Sequence, residues 1–187
     1  MNKSILLATC FAAAVSCTSL YAQASAGGGP HFTGDTIPQA DRMFVSQAGA
    51  ANMAEVALGN LAMSHGQSDA VRNFGNRMVS DHTEANVALN NLAGPLGLAL
   101  AQQPTMLQEK TIDSLASMSG TSFDRHYGRV AVKDHEDAVR LFTQEASFGA
   151  DPDLRTFAAH MLPTLKRHLS MAHSLPGGGA TARPGRG

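Results

Sequence analysis

Residues 72–89 read RNFGNRMVSDHTEANVAL, and the spacing of their apolar side chains decides the fold class. Apolar residues recur every three or four positions here and share one face of an amphipathic helix: Val71, Phe74, Met78, Ala85, Leu89 and Leu92. His82 lies on that same face. Ser68 and Gly94 mark the predicted ends of this helix. No part of the chain alternates as a β-strand does, so we expect an all-α protein.

Three further segments have the same helical spacing. One runs from about Pro38 to His65. Another begins near Thr121, where Asp124 completes a sequence typical of a capping box, and stops at Gly149. The last has Asp151 as its N-cap, opens with Pro152 and ends at Pro176. Four long helices, each with an apolar stripe, predict a four-helix bundle.

The connections between these helices predict the topology. Tight turns at Gly66 and at Gly149 make each flanking pair of helices antiparallel. The link from Gly94 to Gly120 is long and contains a short helix from about Thr105 to Met118. A link of this length can run the full height of the bundle, which makes helices two and three parallel. We therefore expect a ferritin-like four-helix bundle with a long connection between helices two and three.

The two ends of the chain differ in composition from residues 38–175, the predicted ferritin-like domain. Residues 1–24 predict a secretory signal peptide, residues 25–37 a flexible linker, and residues 176–187 a disordered tail rich in Gly, Pro and Arg. Cleavage after Ala24 predicts a periplasmic protein with no membrane span. The alternative is lipid attachment at Cys17, which would anchor the protein to the outer or inner membrane.

Composition excludes several classes of function. The chain has 14 basic and 15 acidic residues, so charge indicates no nucleic-acid partner. Nucleophile elbows, phosphate loops and dinucleotide fingerprints are absent, and no reaction is indicated. The oligomeric state stays open. Both cysteines, Cys10 and Cys17, lie in the signal segment, so a metal site in the cleaved chain must use His, Asp and Glu.

An internal similarity relates the second and third predicted helices. Residues 72–89 align without gaps on residues 125–142, and an Asp-His pair recurs at Asp81-His82 and at Asp134-His135. If the two helices are parallel, the two Asp-His pairs lie at the same height. This arrangement predicts a pseudo-symmetric site.

Polar residues on the apolar stripes are the candidate site, because a buried polar group needs a partner. They are predicted to bind a transition metal such as iron, copper or zinc: Glu55, His82, Asp134, His135 and His168. The alternative is a metal-free polar network among the same residues. The Glu-x-x-His motif of di-iron proteins is missing, which argues against a standard ferroxidase centre. Tyr127 also faces inward, with Glu55 or Glu145 as expected partner of its hydroxyl group.

Several motifs are similar to those of a known family. They are Asp41-Arg42-x-Phe44-Val45, Asn52-Met53-Ala54-Glu55-Val56-Ala57-Leu58-Gly59, Val71-Arg72-x-Phe74-Gly75, Met78-Val79-x-Asp81-His82, Phe123-Asp124-x-x-Tyr127, Asp134-His135-Glu136 and Leu162-Pro163-x-Leu165-x-x-His168. Over about residues 39–175 the chain resembles the bacterial DUF4142 family. The resemblance implies a ferritin-like bundle in the cell envelope, often labelled an outer-membrane protein, with polar motif residues Glu55, Asp81, His82, Asp134, His135 and His168. It implies no substrate, so we expect an envelope binding or stress-related protein.

Overall fold

The computed structural model describes residues 36–179, which form five helices and no β-strand. The helices are α1 (Gln39–His65), α2 (Asp69–Ala93), α3 (Met106–Ala116), α4 (Gly120–Phe148) and α5 (Pro152–His173). The prediction of an all-α protein is confirmed for this part of the chain. The predicted signal peptide, most of the linker and residues 180–187 of the tail lie outside the described residues.

The long helices pack in two pairs, α1 with α2 and α4 with α5, and the short helix α3 lies between α2 and α4 in the chain. The side chain of Asp124, near the start of α4, accepts hydrogen bonds from the backbone N–H groups of Gln67 and Ser68, just before α2. Helices α2 and α4 therefore begin at the same end of the molecule. They run parallel, as the long connection between them predicts.

Most of the predicted helix ends are confirmed. The hydroxyl of Ser68 caps α2, and the carboxylate of Asp151 caps α5 by accepting from the N–H groups of Asp153 and Leu154. Helix α5 ends at His173, before the predicted Pro176. The predicted capping box of α4 is wrong, because no side chain caps that helix and Asp124 is directed to the start of α2 instead.

The buried apolar side chains form two separate clusters along the helices. The Phe44 cluster includes Phe44, Leu89, Phe142 and Leu165. The Phe74 cluster includes Leu58, Phe74, Phe123 and Ala172. On each long helix, the residues of one cluster are followed in sequence by those of the other. The candidate polar residues fall in the gap, so the site lies near the middle of the long helices.

The packed region extends past the predicted limits of residues 38–175. Ile37 is buried, and its carbonyl accepts a hydrogen bond from Arg42 Nε at 3.0 Å. Beyond α5, Gly178 is also buried. A Cβ atom on Gly128 would lie 2.2 Å from the carbonyl oxygen of Pro176, so the missing side chain lets the segment after α5 lie directly against α4. The start of the predicted tail is therefore packed.

Candidate metal centre

Three histidines from three helices meet in the gap between the two apolar clusters. His82 lies on α2, His135 on α4 and His168 on α5, and each is at least 95% buried. Their ring centroids are 5.7 Å apart for His82 and His135, 5.6 Å for His82 and His168, and 5.3 Å for His135 and His168. One nitrogen from each ring lies within 4.8 Å of the other two. We call these residues the three-histidine group.

One nitrogen of each ring is held by a hydrogen bond. His82 Nδ1 lies 3.0 Å from Asn52 Oδ1, and His135 Nδ1 lies 2.8 Å from the carbonyl oxygen of Ala131. His168 Nε2 lies 2.9 Å from Asp81 Oδ2. These oxygens only accept, so each of these nitrogens carries the proton and donates it. The hydrogen bonds hold the orientation of the rings, as the outer partners of metal-binding histidines do.

The other nitrogen of each ring has no hydrogen-bond partner. These atoms are His82 Nε2, His135 Nε2 and His168 Nδ1, and all three are fully buried. Leaving a buried acceptor unpaired costs about 1–3 kcal/mol. Each unpaired nitrogen carries a lone pair, which is what a metal ion requires of an imidazole ligand. One cation between the rings would give all three nitrogens a partner.

Burial keeps the three rings neutral. It lowers the pKa of His82 well below 6.5, with further lowering by the nearby His135 and His168. Burial likewise lowers the pKa of His135, and it lowers that of His168 to about 4 despite the hydrogen bond to Asp81. The rings therefore need not lose a proton before they bind a metal at neutral pH.

The two carboxylates predicted for the site lie beside the three-histidine group rather than within it. Glu55 Oε1 is 3.6 Å from His135 Nδ1, the nitrogen directed at Ala131. Burial raises the pKa of Glu55 to about 8. Burial and the nearby Glu55 raise the pKa of Asp134 to about 7. The structure thus brings together three of the five predicted residues and places Glu55 and Asp134 next to His135.

Glu55 and Asp134 line a cavity of about 220 Å³ that also reaches His82 and His135. We call it the carboxylate cavity. Its walls come mainly from α1 and α4, and Thr105 and Gln108 at the start of α3 contribute to its outer part. His168 does not line this cavity. The candidate site therefore combines a group of neutral imidazoles with an adjoining acidic space.

Sequence reasoning missed two of the residues that hold the rings. Asn52 lies three positions before Glu55 on the buried face of α1, so helical spacing could have identified it. Asp81 belongs to the motifs of the family resemblance but was not among the predicted metal ligands. The predicted symmetry of the two Asp-His pairs is correct for the histidines and wrong for the aspartates, because Asp81 contacts His168 whereas Asp134 lines the carboxylate cavity.

The expected partner of Tyr127 is also wrong. Its hydroxyl group is buried and forms no hydrogen bond with Glu55 or Glu145. Burial raises the pKa of Tyr127 well above 10, and the nearby Glu55 and Asp134 raise it further. The ring packs against Phe74 and Phe123, with centroid distances of 6.1 and 5.6 Å. Tyr127 is thus part of the Phe74 cluster, and its hydroxyl stays unpaired.

Comparison with known families agrees with the motifs. The domain of unknown function DUF4142 matches residues 30–175, which is most of the chain. The chain belongs to the DUF4142 family. A crystal structure of a DUF305 fragment from Deinococcus radiodurans is similar in fold, with a TM-score of 0.65 and 14% sequence identity over 74% of this chain and 95% of that fragment. No curated protein matches this DUF4142 chain. Among residues 36–179, no helix is long and apolar enough to cross a membrane.

Proposed function

We propose that this DUF4142 protein binds one transition-metal ion through His82, His135 and His168. The observation that carries the proposal is the set of three buried imidazole nitrogens without partners, each on a ring whose other nitrogen donates a hydrogen bond. In a tetrahedral site with metal–nitrogen bonds of about 2.0–2.1 Å, ligand nitrogens lie about 3.3 Å apart. One nitrogen of each ring already lies within 4.8 Å of the other two, so the side chains would move closer together on binding an ion.

The donor set narrows the choice of metal. Three neutral imidazoles suit copper, zinc and iron better than magnesium or calcium, which prefer oxygen ligands. Glu55 and Asp134, predicted from the sequence as further ligands, are not part of the group of nitrogens that meet. The geometry therefore supports a site with three protein ligands and favours an outer role for the two carboxylates.

A thermal melt with and without metal tests the proposal. We expect stoichiometric Cu²⁺ or Zn²⁺ to raise the Tm, because a ligand that binds only the folded state stabilises it by about 2.7 kcal/mol at 100 times its Kd. Elemental analysis should find one ion per chain. Helix α5 offers a matched pair of variants: His168→Gln should abolish the shift, whereas His160→Gln, at an exposed position, should leave it unchanged.

The alternative function is a metal-free polar network that helps to specify the packing of the helices. The hydrogen bonds that the rings donate to Asn52, Asp81 and the carbonyl of Ala131 favour this alternative, because each ring already has one partner. It predicts no bound ion and the same Tm with copper, zinc, iron and manganese. That result would exclude the metal site.

We also propose a ferritin-like topology and a location in the cell envelope. The parallel course of α2 and α4 supports the topology. The location is supported by the sequence of residues 1–24, which has the pattern of a signal peptide. N-terminal sequencing of the protein from a periplasmic extract should begin at Ser25. A lipid-modified chain that begins at Cys17 would show membrane anchoring instead.

A further inference from the structure

The carboxylate cavity connects the surface of the protein with the three-histidine group. At its outer part lie the exposed Thr105 and the partly exposed Asp137, whose side chain is 43% exposed. At its inner part lie Glu55, His82 and His135, of which Glu55 is only 6% exposed. A path lined by side chains of decreasing exposure therefore ends at two of the three histidine rings.

Carboxyl groups follow one another along this path. Asp137 lies at the surface, where it also pairs with Lys133 and Arg140, and Asp134 and Glu55 lie further inside. Glu55 forms no hydrogen bond with any of residues 36–179, and its Oε1 lies 3.6 Å from Nδ1 of the neutral His135. Carboxylate oxygens are ligands for divalent cations, and a cation that binds a protonated carboxyl group displaces its proton. The rings of His82 and His135 also line the cavity, and the Nε2 atom of each is buried and unpaired.

We infer that the carboxylate cavity is the route by which a divalent transition-metal ion reaches the three-histidine group. The inference rests on the proposed function, since a route needs a site at its end. The ion would pass from Asp137 to Asp134 and Glu55 and exchange water for carboxylate oxygens there, while any proton it displaces leaves to solvent. It would then move to the imidazole nitrogens, and the carboxyl groups would take their protons back from solvent. Glu55 and Asp134 are then positioning residues of the route, and they need not belong to the final ligand set.

The first test narrows the carboxylate cavity with a larger apolar side chain and leaves its charged groups unchanged. Ala51 on α1 and Ala138 on α4 both line the cavity. We expect Ala51→Leu to slow Cu²⁺ uptake, followed by quenching of tyrosine fluorescence, by about tenfold. Removal of Cu²⁺ by a chelator should slow by the same factor, so that the Kd stays unchanged. Ala51→Ser keeps the cavity open and should bind and release Cu²⁺ at the wild-type rates.

Ala138→Leu narrows the cavity from α4 and serves as the second variant if Ala51→Leu fails to fold. It should also slow uptake and release together. If a folded Ala51→Leu or Ala138→Leu variant takes up and releases Cu²⁺ at the wild-type rates, the inference is overturned, because the ion then reaches the histidines by another path. A variant that only releases Cu²⁺ faster would overturn it too, since that result indicates distorted ligands.

The second test changes charge at the outer part of the route. Asp137→Asn leaves Lys133 and Arg140 without their partner and should slow Cu²⁺ uptake by about two- to fivefold at low salt, an effect that added salt should screen. Glu136→Gln removes the same charge from the neighbouring position of α4, which is exposed and does not line the cavity, and should leave the rate unchanged. If wild-type protein takes up no Cu²⁺, the proposed function fails. If it does and both variants behave alike, only the route fails.

Discussion

The hairpin of α1 and α2 and the hairpin of α4 and α5 have identical residues at several positions in or against their turns, always 83 residues apart in sequence. Gly66 ends α1 as Gly149 ends α4. Asp41 on α1 accepts hydrogen bonds from the N–H groups of Ala150 and Asp151 at the turn of the second hairpin. Asp124 on α4 does the same for the turn of the first. Each hairpin thus caps the other.

The same correspondence breaks down at the candidate site. His135 corresponds to Asn52, His82 to Leu165, and His168 to Ala85. Glu55 and Asp134 both correspond to alanines, at Ala138 and Ala51. The contacts that join the hairpins are therefore repeated, whereas every ligand-capable residue occurs once. The repeated turns therefore serve the fold, and the candidate site lies in the asymmetric middle of the helices.

The largest expected effect tests whether the two hairpins are equivalent. Asp41→Ala and Asp124→Ala each leave two backbone N–H groups at a partly buried turn without their acceptor. We expect each variant to lose about 2–4 kcal/mol of the free energy of unfolding, measured by urea denaturation. Asp153→Ala, an exposed position in the first turn of α5, should cost less than about 1 kcal/mol. A loss confined to one of the two aspartates would refute the equivalence.

Local pattern explains why so much of the fold could be predicted. Helical spacing, N-cap residues such as Ser68 and Asp151, and glycines at the turns are properties of short segments, so they are visible in the sequence. The contacts of Asp124 could not be predicted from such local patterns. Its position favours a cap for its own helix, but its acceptors serve a turn 57 residues away. Only packing of the two hairpins determines that partner.

The candidate site was predictable as a set of residues but not as a geometry. Helical spacing places Glu55, His82, His135 and His168 on inward faces, which their burial confirms. The spacing does not determine which ring nitrogen is paired, because Asn52, Asp81 and Ala131 reach the rings from three different helices. Nor does it distinguish Asp134, which lines a cavity, from the adjacent His135, which joins the other rings.

A second prediction replaces a residue of the candidate site with the residue at the corresponding position of the other hairpin. His82→Leu introduces the residue found at Leu165 and removes a buried nitrogen that has no partner in the metal-free protein. We expect Kd for Cu²⁺ to rise more than about 100-fold, since loss of an outer partner alone weakens metal sites 10- to 100-fold. The free energy of unfolding without metal should fall by about 1–3 kcal/mol, because the buried Asn52 Oδ1 loses its donor. Unchanged affinity would show that His82 is not a ligand.

A third prediction concerns the pH dependence that Glu55 causes, whose counterpart in the second hairpin is Ala138. The raised pKa values of Asp134 and Glu145 on α4 are about 7, so these two groups act mainly at lower pH. Burial raises the pKa of Glu55 from 4.5 to about 8, so between these values the folded state holds a proton that the unfolded state has lost. The free energy of unfolding should therefore fall as pH rises, by up to about 1.4 kcal/mol per pH unit. Denaturation of the metal-free protein from pH 7.5 to 8.5 measures this slope.

In that range the histidines of the unfolded state are largely neutral and add little to the slope. Their lowered pKa values act at lower pH, where stability falls as the unfolded chain takes up protons. Glu55→Gln should flatten the curve, and the exposed Glu136→Gln should not. Parallel curves for Glu55→Gln and the wild type would mean that Glu55 is ionised in the folded protein.

The smallest expected effect lies at the turns, where the two hairpins are most alike. Arg72 donates to the carbonyl oxygens of Gly66 and Gln67, and Arg155 donates to those of Gly149 and Ala150. Both guanidinium groups are partly exposed, so replacing either arginine by alanine should cost only about 1 kcal/mol in urea denaturation. Arg72 also pairs with the exposed Asp69, a contact that should add little. Losses that agree within about 0.5 kcal/mol would support equivalent turns, whereas a much larger loss for Arg72→Ala would show that the ion pair with Asp69 contributes to the first turn alone.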